Sequence, residues 1–416
     1  MMALSSDIHS SADARRLARR YLPWMVYDYI DGAAGEGEGE RRNRDAFREL
    51  RLQPRILNNV EHRSLEVPLF RETANLPFGI SPMGMCNLSR PGADLMLARV
   101  AKQYKVPTGA STAASTSLES IIEAAAGNAW FQLYFSGQES ASEALMSRAE
   151  AAGYQTLVLT VDVPEVGRRP RELRRGFKMP FRMGVSQFVD FACHPPWSLA
   201  TLFKGAPELA NFGGAFGEFD RTSSRAGADW SLLERIRERW KGRLVVKGVL
   251  SAPDAQALQR AGVDAIQVSS HGGRQLESAP PAIRALVAIR NAVGPDYPLF
   301  YDSGIRSGED VIKAYALGAN FVFLGRPLLF AIAAGGERGL SQLVDVFSQE
   351  ISIALAQLGL RSLVGIDQSS LADASFGADA VFGAPASFSA DPMSGAQASF
   401  SADALSRTDD SSVRHE

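Results

Sequence analysis

Eight short apolar runs recur along the middle of the chain: LPFGIS (76–81), VPTGA (106–110), AWFQLY (129–134), TLVLTV (156–161), RLVVK (243–247), DAIQVS (264–269), PLFYD (298–302) and NFVFL (320–324). Each is bounded by turn residues and reads as a strand. Between them lie segments with apolar residues at helical spacing, such as GADLMLARVAKQY, ASEALMSRAEAAG, APDAQALQRAG and GEDVIKAYALG, several of which close near a glycine as helices often do. Eight strands alternating with helices predict an α/β fold, a (β/α)8 TIM barrel over about residues 76–335. In that architecture the functional residues sit on the loops that follow the strands' C-terminal ends.

The rhythm breaks in three places. An N-terminal segment, including MVYDYIDGA, precedes the first strand and is expected to form a helical cap. The connection after TLVLTV is several times the usual loop length, which predicts a functional insertion over about residues 170–230. From Gln368 onward the chain is Ala, Ser, Gly and Asp with a repeated ASF(G/S)AD unit. Such a composition buries too little apolar surface to offset the entropy of ordering, so residues 368–416 read as a disordered tail behind a single domain of residues 1–367.

Charge and composition narrow the classes. Of 416 residues, 44 are basic and 46 acidic, a formal charge of -2 that argues against a nucleic-acid footprint. Cys86 and Cys193 form no metal or redox spacing and read as reduced thiols of a cytosolic protein. The N-terminus lacks the apolar run of a signal peptide, and no segment offers the roughly 18 apolar residues of a membrane span. The chain is expected to be soluble or to sit on a membrane without crossing it.

The polar residues just past the strands carry the chemistry. The stretch VSSHGGRQLE ends an apolar strand in Ser269, Ser270 and His271, then two glycines and Arg274, a poor design for packing alone. Other strand ends carry Pro82, Met83 and Gly84; Ser111; Gln132 and Tyr134; Thr160 and Asp162, with Arg169 soon after; and Lys247. DSGIRSG (Asp302, Ser303, Gly304, Arg306) and LGRP (Gly325, Arg326) read together as a phosphate cradle, since the loops after strands seven and eight of such barrels often hold one. Lys247 ends an otherwise apolar strand and calls for an anion or electron-rich ligand. His271 with Asp162 makes an acid–base pair, and Arg169 with Arg274 offers paired forks for a carboxylate. Tyr134, and Tyr29 from the cap, could add hydroxyls.

Taken jointly, FQLY, LTVDVP, GRRPRE, LVVKGV, VSSHGGRQLE, DSGIRSGEDVIKAYALGA and LGRP resemble the motif set of the FMN-dependent α-hydroxyacid dehydrogenases and oxidases over roughly residues 12–365. The insertion, with HPPWSLATLFKGAPELANF, is most similar to the membrane-associated (S)-mandelate dehydrogenase branch, with L-lactate dehydrogenases as near relatives. The resemblance implies FMN as cofactor, His271 as catalytic base with Asp162 as its partner, Arg169 and Arg274 as carboxylate anchors, and Tyr29 and Tyr134 as substrate contacts. It further implies flavin contacts from Pro82, Met83, Gly84, Ser111, Gln132, Thr160, Lys247 and Ser269. Asp302, Ser303, Gly304, Arg306, Gly325 and Arg326 match the ribityl and phosphate site.

Three positions depart from the family pattern. Ser270 replaces an asparagine, Ala113 stands where glycolate-type oxidases have tryptophan, and Gly84 replaces a common alanine; the last two imply a pocket for an aryl or bulky side chain. The expected reaction is oxidation of an (S)-2-hydroxy acid to the 2-oxo acid. Electrons would pass to a membrane quinone or similar acceptor, from a homotetramer peripheral to the inner face of the cytoplasmic membrane. The apolar aromatics of the insertion beside Arg168, Arg169, Arg171, Arg174, Arg175, Lys178 and Arg182 suit that attachment. An oxidase using oxygen, a flavin-dependent isomerase and a non-catalytic flavin binder are the rival readings.

Overall fold

A computed structural model of the chain describes residues 8–135, 137–177, 184–212 and 224–372. Eight parallel strands close on themselves: β1 (Phe78–Met83), β2 (Thr108–Ser111), β3 (Ala129–Tyr134), β4 (Thr156–Thr160), β5 (Arg243–Val249), β6 (Ala265–Val268), β7 (Leu299–Tyr301) and β8 (Phe321–Leu324), which pairs back onto β1. Every predicted apolar run supplies one strand. One boundary moves for a local reason: β2 starts at Thr108 and not Val106, because Pro107 has no N–H for the ladder, although its carbonyl still accepts from Ile80 N at 2.9 Å.

The barrel's lower end is packed with rings. Trp130, Phe300 and Phe323 lie 5.2–6.0 Å apart, and Phe70, at the turn of a short antiparallel ribbon (Val67–Leu69 with Glu72–Ala74), meets Trp130 and Phe300. Aromatic packing of this kind fills the interior and leaves the opposite, C-terminal mouth for chemistry.

Three helices form the predicted cap: α1 (Ser11–Tyr21), α2 (Trp24–Asp31) and α3 (Glu38–Glu49). Ser10 caps α1 by accepting from Asp13 N at 3.1 Å. α1 packs on the last helical segment (Arg326–Gln357), which is broken at Gly336, and α3 packs against the His271–Gly273 turn. The cap therefore reaches the mouth.

The insertion contributes helices Pro170–Arg174, Val185–Ala192 and Pro195–Lys204. Trp197 anchors it, buried and donating from Nε1 to Leu88 O at 2.8 Å. Asp190 ties it to the cap by accepting from Trp24 N and Met25 N at 3.0 and 3.2 Å. Lys178 and Arg182 lie outside the described residues. The low-complexity boundary at Gln368 falls too early: Gln368–Ser370 form a 3-10 turn capped by Asp367, Leu371 is buried opposite Leu52, and Ala372 N donates to Arg51 O at 2.8 Å. One leucine in an otherwise polar stretch found a partner far upstream that composition does not register. The rest of the tail, and its expected disorder, lie outside the described residues. Among the described residues no helix is long and apolar enough to cross a membrane, and both cysteines are free thiols.

Candidate active site

The tip of β6 is held under strain. His271 has φ of 54° and Ser303, after β7, has φ of 98°, a region that side chains other than glycine rarely occupy. A web of hydrogen bonds keeps them there. Ser303 Oγ accepts from Ser270 N and Gly272 N at 3.2 and 3.0 Å, and His271 N donates to Ser269 Oγ at 3.0 Å. Asn43 of α3, itself buried, donates to Ser270 Oγ at 2.9 Å. The serine that departs from the family pattern is thus braced by the cap. Gly304 follows at φ of 88°, where a Cβ would come within 2.5 Å of Asn43 O.

His271 and Asp162 meet. Nδ1 lies 3.0 Å from Asp162 Oδ1, so the neutral imidazole donates there and keeps its lone pair on Nε2, 3.4 Å from Tyr134 Oη. Burial pushes the His271 pKa below the ordinary imidazole value, outweighing the nearby carboxylate, with Lys247 adding to the depression. Burial works to raise the Asp162 pKa, but the imidazole and the Lys247 ammonium hold it lower than usual. Burial raises Tyr134 to about 12, so its hydroxyl stays protonated. A neutral base, an ionised partner and a phenolic donor result.

Arg169 and Arg274 converge on one carboxylate. Glu172 Oε1 accepts from Arg169 at 3.3 Å and from Arg274 at 3.2 Å, while Arg274 also donates to Gly32 O at 2.6 Å and Arg169 Nε to Arg274 O at 3.2 Å. Gly167 permits this approach: a Cβ there would sit 2.4 Å from Arg274 O. Tyr29 lies under the Arg274 guanidinium at 5.6 Å, stacks on Phe177 at 4.5 Å, and donates to Gly84 O at 3.4 Å.

Toward the centre, Lys247 donates to Ser269 Oγ at 3.0 Å, and Ser269 Oγ in turn donates to Asp302 Oδ1 at 2.7 Å. Gln267 adds a 2.6 Å bond to Asp302 Oδ2. Burial opposes the Lys247 charge, but Asp302, Asp162 and Tyr134 outweigh it and raise the ammonium's pKa. At the far side, burial lowers the pKa of Arg306 and takes Arg326 to about 10, where the Arg306 charge adds to the effect. Glu40 of the cap faces both, at 2.9 and 3.9 Å. Two buried guanidiniums whose pKa values are both lowered call for an anion.

One cavity of about 930 Å3 joins these parts. Tyr29, Tyr134, Arg169, Lys247, His271 and Arg274 line it, as do the predicted residues at Pro82–Gly84, Asp302–Gly304, Arg306, Gly325 and Arg326. Ser111, Gln132, Thr160, Asp162 and Ser269 are not among the residues that line it. Sequence reasoning missed Glu172, Asn43, Glu40, Gln267 and Arg225. Glu172 had a signal, the Arg-x-x-Glu spacing inside GRRPRE; Arg225, buried with its guanidinium 5.7 Å from the Tyr134 ring, had none.

The family model described as FMN-dependent dehydrogenase matches residues 18–373. The chain is 36% identical over 380 residues to (S)-mandelate dehydrogenase of Pseudomonas putida, covering 88% of this chain and 95% of that one. The chain belongs to the FMN-dependent dehydrogenase family. L-lactate dehydrogenase of Pseudomonas syringae pv. syringae is also 36% identical, over 88% of this chain and 99% of its own. A solved structure described as the monotopic membrane protein (S)-mandelate dehydrogenase superposes with a TM-score of 0.83 at 36% identity, covering 88% of this chain and 99% of that one.

The chain's own residues fit the family's FMN. Gln132 Nε2, Thr160 Oγ1 and Gln267 Oε1 are buried at the strand ends with no hydrogen-bond partner among the described residues. Each such group costs about 1–3 kcal/mol unless a ligand satisfies it, and a heteroaromatic ring edge carries the complementary donors and acceptors. The buried Lys247 ammonium and the Arg306–Arg326 pair suit an electron-rich ring and a phosphate at one cavity's two sides.

Proposed function

We propose that this FMN-dependent dehydrogenase oxidises (S)-2-hydroxy acids with an aryl or other bulky side chain to the 2-oxo acids. The observation that carries this reading is the meeting, on one cavity, of the His271–Asp162 pair with the two guanidiniums gathered by Glu172. Arg169 and Arg274 bind and orient the substrate carboxylate, with Tyr29 beside them. His271 Nε2 accepts the proton released as the carbinol becomes a carbonyl, Asp162 stabilises the imidazolium, and the Tyr134 hydroxyl steadies the developing oxygen charge. FMN, when bound, supplies the two-electron acceptor. Gln132, Thr160, Lys247 and Ser269 would hold its ring, and Arg306 and Arg326 its phosphate. Gly84 and Ala113 line the cavity side by side, so close that a Cβ on Gly84 would lie 3.1 Å from Ala113 Cβ, inside ordinary contact distance. Small residues at both positions favour a bulky side chain.

The acceptor is a membrane quinone, reached from the inner face of the cytoplasmic membrane by a homotetramer. Support comes from the insertion, where Val185, Phe188 and Val189 of one helix and Leu199, Leu202 and Phe203 of the next are exposed. Trp24, with Arg19 and Arg175 guanidiniums 5.1 and 5.8 Å from its ring, lies beside them on the cap. Apolar side chains rimmed by cations suit an anionic lipid surface.

The deciding experiment is an anaerobic panel of 2-hydroxy acids, scored by bleaching of the flavin absorption. Fast bleaching by (S)-mandelate, slower by L-lactate and slow return on admitting air is expected; no bleaching by any member would sink the reading, and rapid re-oxidation by air would move the acceptor to oxygen. Phe188→Ser with Phe203→Ser is expected to abolish sedimentation with anionic vesicles while leaving bleaching intact.

A further inference from the structure

A second cavity, of about 350 Å3, opens on the cap, apart from the base and the carboxylate clamp. Arg15, Arg16 and Arg19 reach it from α1, Arg44 and Arg48 from α3, and Arg306 from the loop after β7. Asp310 is the single carboxylate in its lining. A solvated basic helix would spread its cations outward; here three separate elements aim theirs at one concavity.

Shared acids face part of this set. Asp31 takes Arg15, at 2.7 Å, and also Arg171, at 3.0 Å, which Asp28 holds as well, and Glu40 takes Arg306 and Arg44, at 2.9 and 3.0 Å, with Arg326 at 3.9 Å. Of the six guanidiniums that line the cavity, Arg15, Arg44 and Arg306 thus depend on two carboxylates that each serve another arginine too. Arg16 and Arg48 meet Asp13 and Asp45 on their own helices at 2.7 and 2.8 Å, in exposed pairs of the kind that contribute little. Ser11 Oγ, donating to Arg306 O at 2.5 Å, fixes the start of α1 against the loop that both cavities share.

We propose that this concavity is a second anion site, one that takes the phosphate or diphosphate group of a small molecule. Planar guanidinium forks converging from three sides match tetrahedral phosphate oxygens, and the volume lies near the lower end of ligand sites, about 300 Å3. Arg306 and Gly304 line this cavity and the large one alike. An anion here competes for the Arg306 charge with the FMN phosphate, so its binding loosens FMN; that coupling rests on the FMN placement above, whereas the binding itself does not.

Calorimetric titration of the FMN-loaded full chain with pyrophosphate at low ionic strength tests the site. One site with Kd below about 1 mM is expected, weakened at least about tenfold in the Arg16→Gln, Arg48→Gln double variant, which keeps the parent's flavin spectrum and its bleaching by a 2-hydroxy acid. Equal affinity in the variant, or no binding by the parent, overturns the proposal. Vesicles of phosphatidic acid in phosphatidylcholine identify the source: parent binding that pyrophosphate displaces assigns a lipid headgroup, and indifference to vesicles assigns a soluble phosphate. FMN release, followed by its fluorescence after ultrafiltration, is expected to quicken with pyrophosphate. Release unchanged at saturating pyrophosphate removes the coupling while the titration still decides the site.

Discussion

The two ends of the large cavity use one electrostatic device in different hands. At one end Glu172 gathers Arg169 and Arg274; at the other Glu40 faces Arg306 and Arg326. The first carboxylate is buried and within 3.3 Å of both guanidiniums, and it belongs to the insertion that follows β4. The second comes from the cap, is less buried, and stands 2.9 Å from Arg306 but 3.9 Å from Arg326. A buried carboxylate that holds both guanidiniums fixes direction, which a reacting acid needs; one drawn to a single guanidinium leaves more of the other's positive field for an anion that has only to be held. The difference predicts that one end governs turnover and the other retention of the cofactor.

The largest expected effect separates both ends from the base between them. His271→Ala should slow anaerobic flavin reduction by about 10²–10⁴-fold while the flavin spectrum shows FMN retained; normal speed would remove His271 from its assigned role. Next, Arg274→Met should weaken substrate binding at least about tenfold, the loss of a charged hydrogen bond of about 1.5–3 kcal/mol, with FMN affinity unmoved. Arg326→Gln should do the reverse, raising the FMN Kd by a similar factor with the substrate KM of the loaded enzyme unchanged. If either variant disturbed both ligands equally, the division between the ends would fail.

Smaller effects come from the carboxylates. Glu172→Gln should lower kcat about threefold to tenfold without weakening substrate binding, because orientation suffers while positive charge is kept. The mildest effect is that of pH. Since burial holds the His271 pKa below the usual value of about 6.5, the base is already neutral at pH 7; kcat/KM should be flat above that range and fall on the acid side. The same depression makes the unfolded imidazole take its proton first as pH drops below about 6.5. Native stability should therefore decline there more steeply in the parent than in His271→Gln, measured as Tm between pH 5 and 8.

Legibility followed the range of the interactions. His271, Arg274, Lys247 and Asp302 stand out in the sequence because each is a polar residue at the end of an apolar run, and a strand-end position in a barrel is a shared address. Glu172 and Glu40 were passed over for a physical reason: a search for anion sites looks for cations, and acids that organise those cations carry the wrong sign. Asn43 gave no signal at all. Its work is to reach from α3 to Ser270, a contact across 227 positions that only the packing of the cap creates.

The order of apolar runs and helices, read alone, determined the barrel and the rim on which its polar residues gather, since strand periodicity and loop position are local properties of the chain. The tertiary structure decided the rest: which carboxylate orients which guanidinium, how the cap braces a strained histidine, and where six arginines from three elements share a hollow. Those outcomes depend on distances of a few ångströms between segments far apart in sequence, and electrostatic and hydrogen-bond energies fall away over that same length.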